Sequence, residues 1–488
     1  MKDQLLKYLR SDRHLWWTVS IIPGIYSILY LYTNNFTLVN SWYQLAGFLF
    51  MFIVVPVTGI LFLDAIFKKY FPQHRGKLYW TYLIINFAII LSLCLFLGWR
   101  WKGLLLVGSI AVATSFFIAK HYKILVIIVC LMTGLAVFNF LYFYVERISS
   151  HEPWPVTQDY ESLVFKKKPN IYLIQPDGFV SRKTAANDLY QWKGTEFYNE
   201  LGRMNFLIND DYRSNYPTTL TSNSALFTSQ HHYYDNGKMQ GELYNARNII
   251  TGNNAVLTTL KSNGYQLNAI LEHRYLLLNH PKTFYDYLNV SQTELSFLPN
   301  YVLNKDYKKD LYSKMESANK GPQFYFVEIL KPGHISVNSS STKTVKDERR
   351  DYIERMDQMT DELMTMMKTI SDRDPGAVIL IISDHGGFVG YSSTEEAYEK
   401  PTEELALKQS LFNSLLAIKA PQDFQPYNDN IKTAVGVFPN LFYYLAGQPV
   451  PQQTLDNSSY IFIKKGDAPG VYKYFNTDGE PVTEKLDP

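Results

Sequence analysis

Asp384 and His385 stand directly behind the apolar run Val378-Ile379-Leu380-Ile381-Ile382 and directly ahead of Gly386 and Gly387. Asp and His together offer ligands for Zn or Mn, and glycines allow close backbone approach. Asp177 also follows a short apolar run, Asn170 to Gln175, inside a Pro176-Asp177-Gly178 sequence that is equally good turn chemistry. A carboxylate just past the carboxyl end of a buried strand is where α/β sheets place their chemistry. A third group lies in Ser214–Ser229, where Thr218, Thr219, Thr221 and Ser222 precede Ser224-Ala225-Leu226-Phe227. Hydroxyls ahead of an apolar helical turn serve as an N-cap. They serve equally as a nucleophile where unpaired N–H groups and the helix dipole receive an anion. His273 and Arg274 end the run Tyr265–Leu271, as an anion clamp or a surface pair, and His334 follows the run Phe324–Ile329.

These groups need strands to carry them. Short apolar runs at Asn170–Gln175, Phe206–Ile208, Tyr265–Leu271, Phe324–Ile329, Val378–Ile382 and Leu415–Lys419 read as strands. Helical patterns at Glu196–Met204, Asn253–Lys261, Lys346–Ile370 and Val437–Leu445 alternate with them. Ile353, Met356, Thr360, Leu363, Met367 and Ile370 recur at helical spacing, so these methionines read as core. The alternation predicts an α/β, doubly wound sheet.

The chain has 488 residues, 47% of them hydrophobic, and a net charge of +2, which gives no support to a nucleic-acid partner. Its apolar character is concentrated before about residue 146. Five stretches, near Leu15–Thr33, Trp42–Phe67, Tyr79–Leu97, Gly103–Ala119 and Ile124–Val145, approach the roughly 20 residues that cross a bilayer. Tryptophans 16, 17, 42, 80, 99 and 101 mark their ends as an interfacial belt would. Lys2, Lys7, Arg10 and Arg13, then Lys68, Lys69, Arg75 and Lys77, then Lys120 and Lys123 place the N-terminus in the cytoplasm, whereas Asn34–Ser41 has no basic residue. Five spans then leave everything after Glu146 outside. Cys94 and Cys130 both fall in spans, so the outer part has no disulfide or cysteine site. The expected organisation is a five-helix membrane domain at 1–148, a linker at 149–168 and an outer α/β domain at 169–488.

The outer domain resembles the alkaline phosphatase superfamily in its sulfatase-like branch. NIYLIQPDGF resembles the first metal-ligand strand, VILIISDHGGFVG the Asp-His-Gly strand end, and FPNLFYYLAGQPVP the closing helix. The resemblance implies metal ligands Asp177, Asp384 and His385. Counting back nine residues from Thr228 implies that Thr219 is both nucleophile and fourth ligand. Sulfatases carry Pro and Arg at the second and fourth positions after their nucleophile; here Thr221 and Asn223 stand there. The sulfatase formylglycine cannot form on Thr, which favours phosphoryl transfer. Five spans before such a domain resemble lipoteichoic acid synthases and phosphoethanolamine transferases, and Gln-Pro-Asp resembles the synthases' Gln-Leu-Glu. No histidine follows His385 and Leu330 stands four before His334, so one divalent metal, Mn or Zn, is expected.

The implied reaction moves a phospholipid head group, phosphoglycerol or phosphoethanolamine, through phospho-Thr219 to an extracytoplasmic glycan or lipid. His334 and His273 would contact phosphate and protonate the leaving alkoxide, with Arg274 and Asn223 beside them. A phosphate-ester or sulfatase-like hydrolase on the same site, and a non-catalytic accessory protein of glycan export, are the alternatives.

Overall fold

The computed structural model describes residues 7–11, 13–96, 98–149, 160, 162–237, 241–296, 298, 303–318, 321–338, 343–451 and 455–486. The chain divides into two units. One holds 1–151 with 277–280 and 295–302; the other holds 152–276, 281–294 and 303–488.

The first unit is helical: α1 (Trp16–Val39), α2 (Trp42–Tyr70), α3 (Arg75–Phe96), α4 (Trp101–Ile118) and α5 (Tyr122–Phe143). Five helices thus stand where five spans are expected. By length and composition three stretches could cross a membrane: Trp42–Tyr70, Pro72–Phe96 and Trp101–Ser149. The last contains both α4 and α5, joined by a 3-10 turn at Ala119–His121 rather than by an extended loop. Helix α1 is of spanning length, but its tyrosines, Asn34 and Asn35 make it less apolar. It runs on through most of the expected outer loop, leaving Asn40 and Ser41 as the connection, where Ser41 caps α2.

Large apolar side chains such as Phe62, Phe117 and Phe138 are exposed on this unit, the arrangement of helices whose solvent is lipid. Leu31, Phe48, Phe52, Ile90 and Leu93 form one interior cluster. Asp64 pairs with Arg75 across the α2–α3 turn at 2.8 Å, so it is a paired residue.

Two stretches of the sequence-predicted outer domain belong to this unit. Gln44 Nε2 donates to the Leu278 carbonyl (3.1 Å), and Leu298 joins the Leu31–Phe48–Phe52 cluster. Nothing in their own composition separates them from neighbouring loops.

The second unit is built on a seven-stranded sheet: β1 (Ile171–Asp177), β2 (Phe206–Ile208), β3 (Gln266–Leu271), β4 (Tyr287–Leu288), β5 (Gln323–Pro332), β6 (Val378–Ile382) and β7 (Leu416–Lys419). Its order is β2-β7-β6-β1-β5-β3-β4, with β7 antiparallel to β6 and β2 antiparallel to β7. The central strands are apolar on both faces because helices cover both. Tyr172 and Ile174 of β1 meet Met356, Met359 and Leu363 of α9 (Val345–Arg373), together with α6 (Thr195–Arg203). On the other face Phe326 meets Phe227 of α7 (Thr219–Thr228), and Phe324 meets Phe438 of α10 (Ala434–Ala446). α8 (Ala255–Ser262) is capped by Asn254 and leads into β3. α9 begins with a reciprocal Thr344–Asp347 capping box, which starts it one residue before the predicted Lys346. The fold class is α/β with N-terminal apolar helices, as the alternating pattern predicts.

A separate antiparallel sheet, β8 (Ser459–Ile463), β9 (Gly470–Phe475) and β10 (Pro481–Lys485), lies beyond any strand read from the sequence. Of the expected linker, 150–159 and 161 lie outside the described residues. Its later part is packed: Tyr160 meets Phe442 edge-on, and Lys166 N–H donates to the Leu445 carbonyl.

Candidate active site

Strands β1 and β6 lie side by side and parallel, with Ile174 opposite Ile381, so their carboxyl ends deliver Asp177 and Asp384-His385 to one place. Backbone contacts hold both ends. Gly178 has φ +65, and a Cβ there would sit 2.3 Å from the Gly333 carbonyl oxygen, so only glycine fits. Ser383 Oγ accepts from Phe179 N–H (2.7 Å) and donates to the His385 carbonyl (3.0 Å).

Two backbone amides, Gly178 N–H (3.1 Å) and His385 N–H (3.0 Å), donate to Asp384 Oδ1. Oδ2 is left buried with no hydrogen-bond donor, and Asp177 Oδ1 is in the same state. His385 Nδ1 donates to the Gly386 carbonyl (2.8 Å), which fixes the tautomer and leaves Nε2 facing the carboxylates. Nε2 lies 3.2 Å from Asp177 Oδ1 and 3.5 Å from Asp384 Oδ2. Three ligand atoms thus converge within 4.8 Å of one another in a buried place.

Buried oxygens without donors cost free energy unless a cation or proton joins them. The titration of the group agrees. Burial pulls the His385 pKa down, but Asp384 and Asp177 more than offset this and hold it up at about 9. Burial, and after it the charge of Asp177, raises Asp384 to about 6. Burial also acts to raise Asp177, yet His385 draws it below the ordinary range. The trio demands a positive charge at its centre, and its donor set fits a divalent Zn or Mn.

Helix α7 brings the hydroxyls. Thr218 is its N-cap: its Oγ1 accepts from Thr221 N–H (3.4 Å) and lies 2.6 Å from Thr221 Oγ1. Thr219 is the first helical residue and half-buried, and its hydroxyl lies near enough to Asp384 to act against the upward pull of burial on that carboxyl. The cap and the candidate nucleophile are therefore adjacent but different threonines. The loop before α7 is pinned by the C-terminal sheet: Tyr460 N–H donates to the Asn215 carbonyl (2.8 Å) and Ser459 Oγ to the Ser214 carbonyl (2.7 Å).

His334 stands beside the cluster, its ring 6.1 Å from that of His385. Its Nδ1 donates to the Ile335 carbonyl (2.7 Å), and burial keeps its pKa below the usual value although Asp177 opposes this. His273 and Arg274 stand at the end of a different strand. They follow β3, which β5 separates from β1, and Arg274 Nη1 donates to the Glu294 carbonyl (2.7 Å).

Asn223 is corrected. It is fully buried one turn into α7, and its amide exchanges two 2.7 Å hydrogen bonds with Gln175, so it tethers helix to strand rather than facing a substrate.

Glu328 was not singled out from the sequence. It pairs in register with Gln175 on the face under α7, is buried, and neither carboxylate oxygen has a hydrogen-bond partner. Burial, then the charges of Asp177 and Asp384, raises its pKa well above the carboxylate range. An acidic residue inside the run Phe324–Ile329 was the available signal.

No protein-family model matches the chain, and no curated protein matches it. Solved structures do. The C-terminal periplasmic domain of EcEptC from Escherichia coli, in complex with Zn, is 11% identical, covers 65% of this chain and 95% of that one, and has a TM-score of 0.45. The integral membrane lipooligosaccharide phosphoethanolamine transferase A (EptA) from Neisseria meningitidis is 12% identical over 86% of this chain and 95% of that one, with a TM-score of 0.42. The periplasmic domain of phosphoethanolamine transferase EptC from Campylobacter jejuni is 11% identical over 58% and 89%, with a TM-score of 0.40.

Proposed function

We propose that the protein is a membrane-anchored, metal-dependent phosphotransferase that moves a phospholipid head group to an extracytoplasmic glycan or lipid. The observation that carries this reading is the convergence of bare Asp177, Asp384 and His385 ligand atoms beside the Thr219 hydroxyl. Asp177, Asp384, His385 and Thr219 would hold one divalent cation, which supplies positive charge that eases ionisation of the hydroxyl and polarises a phosphoryl oxygen.

The remaining roles belong to the chain's own groups. Thr219 opens α7 near Asp384, so its hydroxyl stands at the edge of the ligand cluster, where a phosphoryl group would be bound. Thr219 Oγ1 bonds to phosphorus as the phosphorus–oxygen bond to diacylglycerol breaks. The proton lost by Thr219 is assigned to His334 Nε2, the basic nitrogen left free by the Nδ1–Ile335 contact, which then delivers that same proton to the departing alkoxide. An acceptor hydroxyl then takes the phosphoryl group and restores Thr219. The N-terminus of α7 adds backbone N–H groups and its dipole to the developing negative charge.

The basic residues around α1 and the α2–α3 turn support a cytoplasmic N-terminus, which puts the catalytic unit outside, where nucleotides are scarce and lipid head groups abundant. The test supplies phospholipid labelled in its head group and follows diacylglycerol and the label. Diacylglycerol together with labelled acceptor is expected. Diacylglycerol with free head-group phosphate and no labelled acceptor overturns the transferase in favour of a hydrolase.

A further inference from the structure

Helices α2 and α3 do not pack flush. Between them runs a cavity of about 490 Å³, lined from Met51 to Leu63 on α2 and from Leu78 to Leu93 on α3, with Trp99 at one end. The local sequence makes the gap. A π-helical turn at Phe50–Val54 widens α2 just before Pro56, and Gly59 faces α3 so closely that a Cβ would meet Tyr82 Oη at 2.9 Å.

The lining is nearly all apolar. Of its few polar groups, Tyr82 Oη donates to the Pro56 carbonyl (2.5 Å) and Asn86 Nδ2 donates to the Val19 carbonyl (3.1 Å), so these two donors are satisfied within the unit. A head group seated there would lose its own hydrogen bonds. Twelve residue steps from Met51 to Leu63 make the groove ~18 Å long at ~1.5 Å per residue. That is close to the ~15 Å depth of one leaflet of a ~30 Å hydrocarbon core. A long slot with an apolar lining is matched by an extended hydrocarbon chain.

One end carries the complementary charge. Trp99 is followed by Arg100, exposed, with its guanidinium 4.8 Å over the Phe96 ring at the end of α3, and then by exposed Lys102. No acidic residue lies between Phe96 and Leu104. A guanidinium and an ammonium beside the mouth of an apolar groove match a phosphodiester attached to an acyl chain.

We propose that the α2–α3 groove binds one acyl chain of a membrane glycerophospholipid, with the lipid phosphate held by Arg100 and Lys102. This rests on the reading of the first unit as membrane-embedded, and it names a place on the chain for the donor's class of lipid. The test uses the full chain in nanodiscs containing phosphatidylglycerol that bears a diazirine in one acyl chain, with photolabelled peptides mapped by mass spectrometry. Labelling is expected to concentrate on 51–63 and 78–93, above the exposed faces of α4 and α5. Ile89→Trp, and independently Val55→Phe, should lower that labelling about tenfold, the effect of keeping two methylene groups out. Arg100→Gln with Lys102→Gln should lower phospholipid labelling while leaving labelling by a diazirine fatty alcohol unchanged. Equal labelling of all the helices, or groove labelling that survives both filling variants, overturns the proposal. Absent head-group transfer with intact groove labelling overturns the phosphotransferase reading alone.

Discussion

Gln175 and Asn223 exchange two hydrogen bonds of 2.7 Å between the central strand β1 and the helix α7. Gln175 lies two residues before Asp177, and Asn223 lies four after Thr219, so this buried pair couples the strand that ends in the proposed metal ligand to the helix that starts with the proposed nucleophile. Asn223→Ala leaves the Gln175 amide unsatisfied in the core, at a cost of about 1–3 kcal/mol. Asn223→Asp adds a buried charge near Glu328 and should cost more. Chemical denaturation of the full chain in detergent, followed by a probe in the second unit, measures both losses. A double-mutant cycle with Gln175→Ala should return a coupling of about 1 kcal/mol or more.

Thr218 and Thr219 separate the capping role from the chemical one. Thr218→Ala should lower stability by ~1 kcal/mol and keep turnover, because it removes a cap. Thr219→Ala should abolish head-group transfer with little change in melting temperature, and Thr219→Ser should retain part of the activity. Full activity in Thr219→Ala would sink the assignment of the nucleophile.

The bare oxygens of Asp177 and Asp384 predict a metal dependence that can be read without turnover. Stripping metal with a chelator should lower the melting temperature, and Mn or Zn alone should restore it at about one ion per chain. Asp177→Asn, Asp384→Asn and His385→Gln should each lose that metal-induced rise. A stoichiometry near two would show a further site.

His232 supplies a pH dependence. Its ring stacks on Tyr216 with centroids 3.8 Å apart, Nε2 donates to the Thr221 carbonyl (3.0 Å), and Tyr234 N–H donates to Nδ1 (2.9 Å). The neutral ring is thereby satisfied on both sides, and burial pulls its pKa down to about 3. The unfolded chain takes up a proton near pH 6.5 and the folded one does not, so stability present above 6.5 falls as pH drops from about 6.5 toward 3. The slope from this one group approaches about 1.4 kcal/mol per pH unit. His232→Gln should flatten the stability–pH curve over that window relative to wild type, as measured by denaturation at fixed metal and salt.

The apolar runs of the second half determine the strands by themselves, because parallel strands covered on both faces must be continuously apolar, and β6 is read to the residue. The long helix α9 is likewise visible in its spaced methionines and leucines, and the five helices of the first half in their length. Local chemistry also makes Asp177 and Asp384-His385 visible, since each interrupts an apolar run at its end. The tertiary structure decided the rest. Strand order put β1 beside β6 and β3 two places off, so His273 and Arg274 end a strand not adjacent to β1, although all look alike as strand-end polar residues. Register put Gln175 and Glu328 on one face under α7, and only that pairing turned Asn223 inward and left Glu328 buried. Hydroxyls at a helix start are indistinguishable in sequence. It took the backbone to assign Thr218 to Thr221 and to make Thr219 the first helical residue, because a cap is defined by which N–H it meets, and that depends on where the helix begins.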